Sequence, residues 1–252
     1  MKSAPLALAA AGLFLATGCA STVASVEGPA HRQKRHTPAP VSVTLNAKKA
    51  DAGSFRATAN GRDITDAFVF DGDRAELSGY AFEPGAPRQP HTLTFEAQPA
   101  VNDKGRPLGK PFSESLTFFP PVVTLQGNVG LSGASHVSLP PQGRSSVMIR
   151  LPVPVSQATE FTVTPVPLTR QVSGVEHLET LTDCVAVNNG DAGAAQQVTV
   201  SPGNRVAVFT VRGQHPGVTA LRVQAPGYVV AEIEVLIDAP ASVARSAQID
   251  TP

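Results

Sequence analysis

Val41-Ser42-Val43-Thr44-Leu45 sets the reading of this chain: three apolar side chains alternate with two hydroxyl-bearing ones. A period of two marks a half-buried strand, because successive side chains leave opposite faces of the pleat. The alternation returns at Phe55 and Ala57, Phe68 and Phe70, Leu93, Phe95 and Ala97, and Leu116 and Phe118. Turn signals separate these runs. Asn60-Gly61 suggests a tight turn, and Asp71-Gly72 is expected to form a type I′ hairpin, since both residues tolerate positive φ. Residues 102–111, rich in Gly, Pro and charge, read as a long hairpin loop between the last two strands of this half.

Past Pro120-Pro121 the pattern repeats with other residues: Val122-Val123-Thr124-Leu125, then Val147, Ile149 and Leu151, then Phe161 and Val163. Val198 and Val200 run into Ser201-Pro202-Gly203-Asn204, which fits a type II turn, with Pro second and Gly third. Arg205 to Val211 leads away from it, and Ala225-Pro226-Gly227-Tyr228 repeats the turn chemistry before a strongly β-prone run over 229–237. No segment carries ten residues of helical period with caps. A proline pair lacks two backbone donors and stiffens the chain, which places a boundary at Pro120-Pro121. The expectation is an all-β protein of two tandem immunoglobulin-like sandwiches, over 41–121 and 122–238, with Phe95, Phe118, Val208 and Val235 in the cores. Residues 239–252 lose the pattern and are expected to be a disordered tail.

The N-terminus has a different grammar. Met1-Lys2 precedes an apolar run over 5–15, a length that suits a signal peptide and falls short of the roughly 20 residues of a membrane span. It ends in Leu15-Ala16-Thr17-Gly18-Cys19, which resembles the lipobox of bacterial lipoproteins. That resemblance implies removal of residues 1–18 and attachment of diacylglycerol to the Cys19 thiol. More than one acyl chain holds a protein stably at a bilayer. Ala20, not Asp, follows the cysteine. By the enteric sorting rule this implies the outer membrane of a Gram-negative envelope. Residues 19–40, rich in Ala, Ser, Pro and charge, read as a tether. Their cluster His31-Arg32-Gln33-Lys34-Arg35-His36 suits either a solvated linker or anionic headgroups.

Residues 41–68, with Val-Ser-Val-Thr-Leu-Asn, Ser54-Phe55, Asn60-Gly61-Arg62-Asp63-Ile64-Thr65 and Phe68, resemble the opening strands of bacterial Ig-like domains. Residues 198–237 are similar to the closing strands of another, in the order Val-Thr-Val, Pro-Gly, Phe-Thr-Val, Pro-Gly-Tyr. These patterns recur in adhesins, enzyme accessory modules and surface proteins, and the family supplies no fixed catalytic residues. Fold at this level does not fix function.

Composition narrows the classes. Twenty Lys and Arg balance twenty Asp and Glu, which argues against a nucleic-acid binder with its basic domain. With 11 Phe, 2 Tyr and no Trp, aromatic platforms for sugars are scarce. Of the two cysteines, lipidation of Cys19 leaves Cys184 without a disulfide partner. Cys184 continues the alternating run Cys184-Val185-Ala186-Val187 and reads as a small buried hydrophobe; the competing reading is a thiol nucleophile with His177 and Asp183. None of the six histidines has His-Glu-x-x-His spacing, Gly130-Leu131-Ser132-Gly133-Ala134 misses a serine-hydrolase elbow by one position, and Gly109-Lys110-Pro111 fails as a phosphate loop. Asp63, Asp66, Asp71, Asp73 and Glu76 are dense enough in carboxylate to suggest calcium. Hairpin geometry explains Asp71-Gly72-Asp73 equally, so no metal or cofactor is assigned.

The expected function is a non-enzymatic, membrane-anchored envelope lipoprotein acting as a binding or spacer module. Its partners are the bilayer and an envelope protein or polysaccharide. Lys104, Arg106 and Lys110 are the candidate binding residues for an acidic partner. The alternatives are an accessory module that recognises envelope polysaccharide through that loop, or an envelope enzyme or inhibitor with an unrecognised site.

Overall fold

The computed structural model describes residues 23–85, 89–127, 136–168 and 178–238. Cys19, the segment 1–18, His177 and the tail 239–252 lie outside them. The first half folds into β1 (Ala24–Glu27), β2 (Gln33–Lys34), β3 (Ser42–Leu45), β4 (Ala50–Ala59), β5 (Arg62–Asp63), β6 (Phe68–Asp71), β7 (Arg74–Leu77), β8 (His91–Pro99) and β9 (Phe112–Phe119). They make two sheets, β1-β3-β7-β6 and β2-β9-β8-β4-β5. The inward residues of both sheets share one core. Phe68 of β6 meets Phe55 of β4 edge-on at 5.4 Å and Phe95 of β8 at 5.9 Å, and burial of such rings dominates core energetics.

This is an immunoglobulin-type arrangement: four strands in A-B-E-D order face a sheet built on the C, F and G strands. β2 runs parallel to the last strand, β9. The second half contains β10 (Thr124–Gln126), β11 (His136–Leu139), β12 (Arg144–Arg150), β13 (Thr159–Val166), β14 (Val185–Val187), β15 (Gln196–Val200), β16 (Val206–Gly213), β17 (Gly217–Gln224) and β18 (Ala231–Ile237). Their sheets, β10-β12-β16-β14 and β11-β18-β17-β13-β15, reproduce the same four-plus-five scheme, with β11 parallel to β18. One exchange separates the halves. In the first, the strand beside β4 (β5) precedes the edge strand of the opposite sheet (β6); in the second, the edge strand β14 comes before β15. Phe118 belongs to the first core and Val123 to the second, with Pro120-Pro121 between them.

Three expectations need correction. The stretch read as a tether is folded from residue 23 onward: β1 pairs with β3, β2 pairs with β9, and Val23 and Ala24 are buried. Short strands with few apolar residues lack a periodic signal, so composition alone resembled a linker. Val208 is 56% exposed, because the inward parity of β16 belongs to Phe209 and Val211 while Val208 pairs with Met148 on the outer face. The hairpin after Phe70 turns on Gly72-Asp73, since Asp71 pairs with Arg74. Positive φ there belongs to Gly72 alone, whereas Asn60 and Gly61 both have it (φ 49° and 83°). The type I′ requirement for two left-handed residues is therefore met at Asn60-Gly61, and the Gly72 turn has the glycine-first chemistry of type II′.

Candidate functional site

The tip of the loop over 102–111 is organised by Asn102, through its side chain and its backbone. Asn102 Oδ1 accepts the amides of Lys104 and Arg106, both at 3.0 Å, and the Asn102 carbonyl accepts the Gly105 amide at 2.8 Å. Gly105 takes φ +71°, a conformation that a Cβ would strain. The tip is thus a fixed turn that presents Lys104 and Arg106, with Lys110 further along and also exposed. Among the described residues no carboxylate pairs with any of the three. Two apolar side chains share the loop with them, Val101 at 64% exposure and Leu108 at 41%.

Strand polarity decides what neighbours this loop. Ala24 pairs with Leu45, Ala50 with Pro99, and Phe112 with Ala97. The Asn46 amide donates to the Val23 carbonyl, and the Leu45 amide to that of Asp73, both at 2.8 Å. Residue 23 and the loops 46–49, 72–73 and 100–111 therefore gather at one end of the first sandwich. The second sandwich is attached at the other end.

That attachment is made by backbone as well as side chains. The Phe82 amide donates to Tyr228 O and the Val230 amide to Phe82 O, each at 2.8 Å, while Gly227 N donates to Tyr80 O and Val229 N to Pro121 O. The segment around Phe82 thus adds as a short parallel strand to the turn after β17. Arg222 crosses the same seam to Glu83, with Nη2 2.5 and 2.6 Å from the two carboxylate oxygens. Arg62 stands 3.8 Å from Glu83 and Glu232 3.4 Å from Arg222. Beside the seam lies an open cleft of about 800 Å³ lined by Pro38, Val155, Gln157, Glu160, Gln197 and Tyr228, among others. Among the described residues of its lining Glu160 is the one carboxylate.

The outer face of β12 and β16 is a second distinctive surface. Arg144 stands directly opposite Arg212, Ser146 opposite Thr210, Met148 opposite Val208, and Arg150 opposite Val206. No Asp or Glu occurs in β10, β12, β14 or β16. Like charges directly across a strand pair are destabilising, so this face carries positive potential that its own strands leave uncompensated. The alternation of Val147, Ile149 and Leu151 marked the buried side of β12 in the sequence; the basic outer face went unread, because the register that sets Arg144 against Arg212 is not local.

The remaining candidates dissolve. Cys184 is fully buried, its Sγ donates to Leu181 O at 2.9 Å, and burial, followed by the Asp183 charge, pushes its thiol up to about 11. Burial and the bond to Leu181 both disfavour the thiolate that a nucleophile needs. Asp183 approaches His215, at 3.5 Å. The carboxylates divide between the two sheets: Asp63 on β5 accepts the Thr65 amide at 2.8 Å, which holds its carboxyl below the usual range, while Asp71, Asp73 and Glu76 stay on the β6–β7 hairpin, where Glu76 pairs with Arg74. No three metal-ligating side chains converge among the described residues.

No protein-family model matches this chain, and neither does any curated protein sequence. Among solved structures it is similar to a β-glycosidase from Bacteroides vulgatus, with 14% identity, a TM-score of 0.26, and coverage of 86% of this chain and 25% of that one. It is also similar to a glycosyl hydrolase family 2 member from Bacteroides cellulosilyticus (12%, TM-score 0.31, 83% and 24%). A third similarity is to domains 1–6 of the surface layer protein SbsC (11%, TM-score 0.29, 88% and 28%). The chain spans about a quarter of the length of each. Likeness at this level assigns no activity.

Proposed function

We propose that this chain is a non-enzymatic envelope lipoprotein, anchored through Cys19 at the outer membrane, whose paired sandwiches hold a binding surface at a set distance from the bilayer. One observation carries the reading. The chain enters the first sandwich at one end, four residues after the lipobox cysteine, and the second sandwich is fixed to the opposite end by strand pairing and the Arg222–Glu83 contact. That layout suits a spacer. Loops and sheet faces on such a scaffold then carry recognition. The test is metabolic palmitate labelling of the parent and Cys19→Ser, with membrane fractionation. Equal label in both, or equal release, refutes the anchor. Turnover of envelope glycan or peptide by the purified mature body refutes the non-enzymatic half.

A second reading, recognition of an acidic envelope polysaccharide, is favoured by the uncompensated Arg144, Arg150 and Arg212 face. It moves the expected glycan contact from the 102–111 loop to the second sandwich. Retention on an immobilised uronate polysaccharide, lost in R144A/R212A, supports it; equal retention of parent and variant rejects it.

A further inference from the structure

We propose that the end of the first sandwich formed by loops 46–49, 72–73 and 100–111 is a membrane-docking face, resting on anionic phospholipid headgroups with Lys104, Arg106 and Lys110 leading. The inference depends on the reading of Cys19 as lipidated and adds to it the orientation of the body.

Chain length comes first. Three residues separate Cys19 from Val23, and Val23 is already buried with its carbonyl bonded to Asn46. The four residue steps from Cys19 to Val23 span at most about 14 Å when fully extended. A 20-residue tether would have let the body roam. With the fold beginning at Val23, the loop end of the first sandwich stays within reach of the headgroups, and it faces them because Val23 emerges there.

The surface chemistry of that end suits the position. Lys104, Arg106 and Lys110 have no carboxylate partner among the described residues, and Val101 and Leu108 are exposed beside them. Cations flanking apolar side chains are the combination that an interfacial site takes, with the apolar groups at the headgroup boundary and the charges on lipid phosphates. The neighbouring loop adds the exposed Lys48 and is tied to this one by the Ala100 amide, which donates to Lys49 O at 2.7 Å. Carboxylates are present too. Asp51 and Asp103 lie on this side, while Asp71 and Asp73 sit on the hairpin of the other sheet. The two sheets thus differ in charge at this end, and the body tilts so that the 100–111 loop approaches an anionic leaflet and the Asp71–Asp73 hairpin leans away. The acidic partner expected for these three cations is then the bilayer, because they share an end of the sandwich with Val23.

The experiment uses natively lipidated protein in phosphatidylcholine vesicles with and without phosphatidylglycerol. Leu108→Cys and, on the second sandwich, Ser146→Cys each receive a fluorophore, which the buried Cys184 does not compete for. Quenching is read with a headgroup nitroxide lipid. The expected result is several-fold stronger quenching at 108 than at 146, increased by phosphatidylglycerol. K104A/R106A/K110A should lower the docked-to-free ratio by roughly fivefold per lost charge while the protein still floats with vesicles. Equal quenching at both positions in protein that floats overturns the docking face and leaves the anchor standing. Quenching at 108 that ignores both phosphatidylglycerol and the triple variant overturns the anionic-lipid contact. A parent that fails to float overturns anchor and face together.

Discussion

Arg222 Nη2 lies 2.6 Å from Oε2 of Glu83, an ion pair between residues 139 positions apart in the chain that bridges the two sandwiches. The side chains are 27% and 43% exposed, so water screens the pair in part. It also aligns the backbone ladder at Phe82, Val229 and Val230.

The first prediction concerns that pair. Arg222→Ala and Glu83→Gln should each destabilise the protein, and their double-mutant cycle should return a coupling of about 1 kcal/mol, the upper range for partly exposed pairs. Urea unfolding of the four proteins measures it. The coupling should shrink in concentrated salt, and strictly additive losses would show the contact to be energetically idle.

Two Pro-Gly turns of like sequence should behave differently. Gly203 and Gly227 have φ of +80° and +76°, but a Cβ on Gly203 meets nothing within 4 Å while one on Gly227 falls 2.6 Å from Pro38 Cβ. Gly203→Ala should cost about 1 kcal/mol, the strain of a left-handed Ala. Gly227→Ala should cost clearly more, because it also pushes on the first sandwich. Pro38→Gly should recover the excess in Gly227→Ala and do nothing for Gly203→Ala. Equal losses in the two Ala variants, measured by thermal melts, would contradict the seam.

His91 should make stability depend on pH. It is 5% exposed, packs edge-on to Phe82 at 5.2 Å, and has Asn60 Nδ2 3.2 Å from its Nδ1. Burial holds its pKa below the ordinary 6.5, so the folded protein binds this proton less readily than the unfolded chain. Its contribution is fully present above about pH 6.5 and is lost as pH falls below that through the lowered value. Stability should therefore drop between pH 7 and 5, and the drop should be smaller in His91→Gln. An identical pH profile in that variant would exclude His91 as the source.

Much of the fold was legible because its signals are local. Val43 and Leu45, Phe55 and Ala57, and Phe161 and Val163 repeat every second residue, and Asn60-Gly61, Pro202-Gly203 and Pro226-Gly227 can turn in few ways. Residues 33–34 escaped notice because a two-residue strand has no period, and its pairing partner is 85 positions away at Phe118. Val208 was misplaced because Arg205-Val206-Ala207-Val208-Phe209 is apolar at both parities over most of its length. Only packing against Ile149 and Val147 chooses which parity turns inward.

The candidate surfaces divide along the same line. By itself the sequence determined most of the longer strands, the principal turns and the basic character of residues 104–110, since each depends on residues within a few positions of one another. The tertiary structure decided that this loop shares an end with Val23, that Arg144 faces Arg212, and that Gly227 touches Pro38. Those relations are set by strand polarity and register across long sequence separations, where a one-residue slip would exchange the two faces of a sheet.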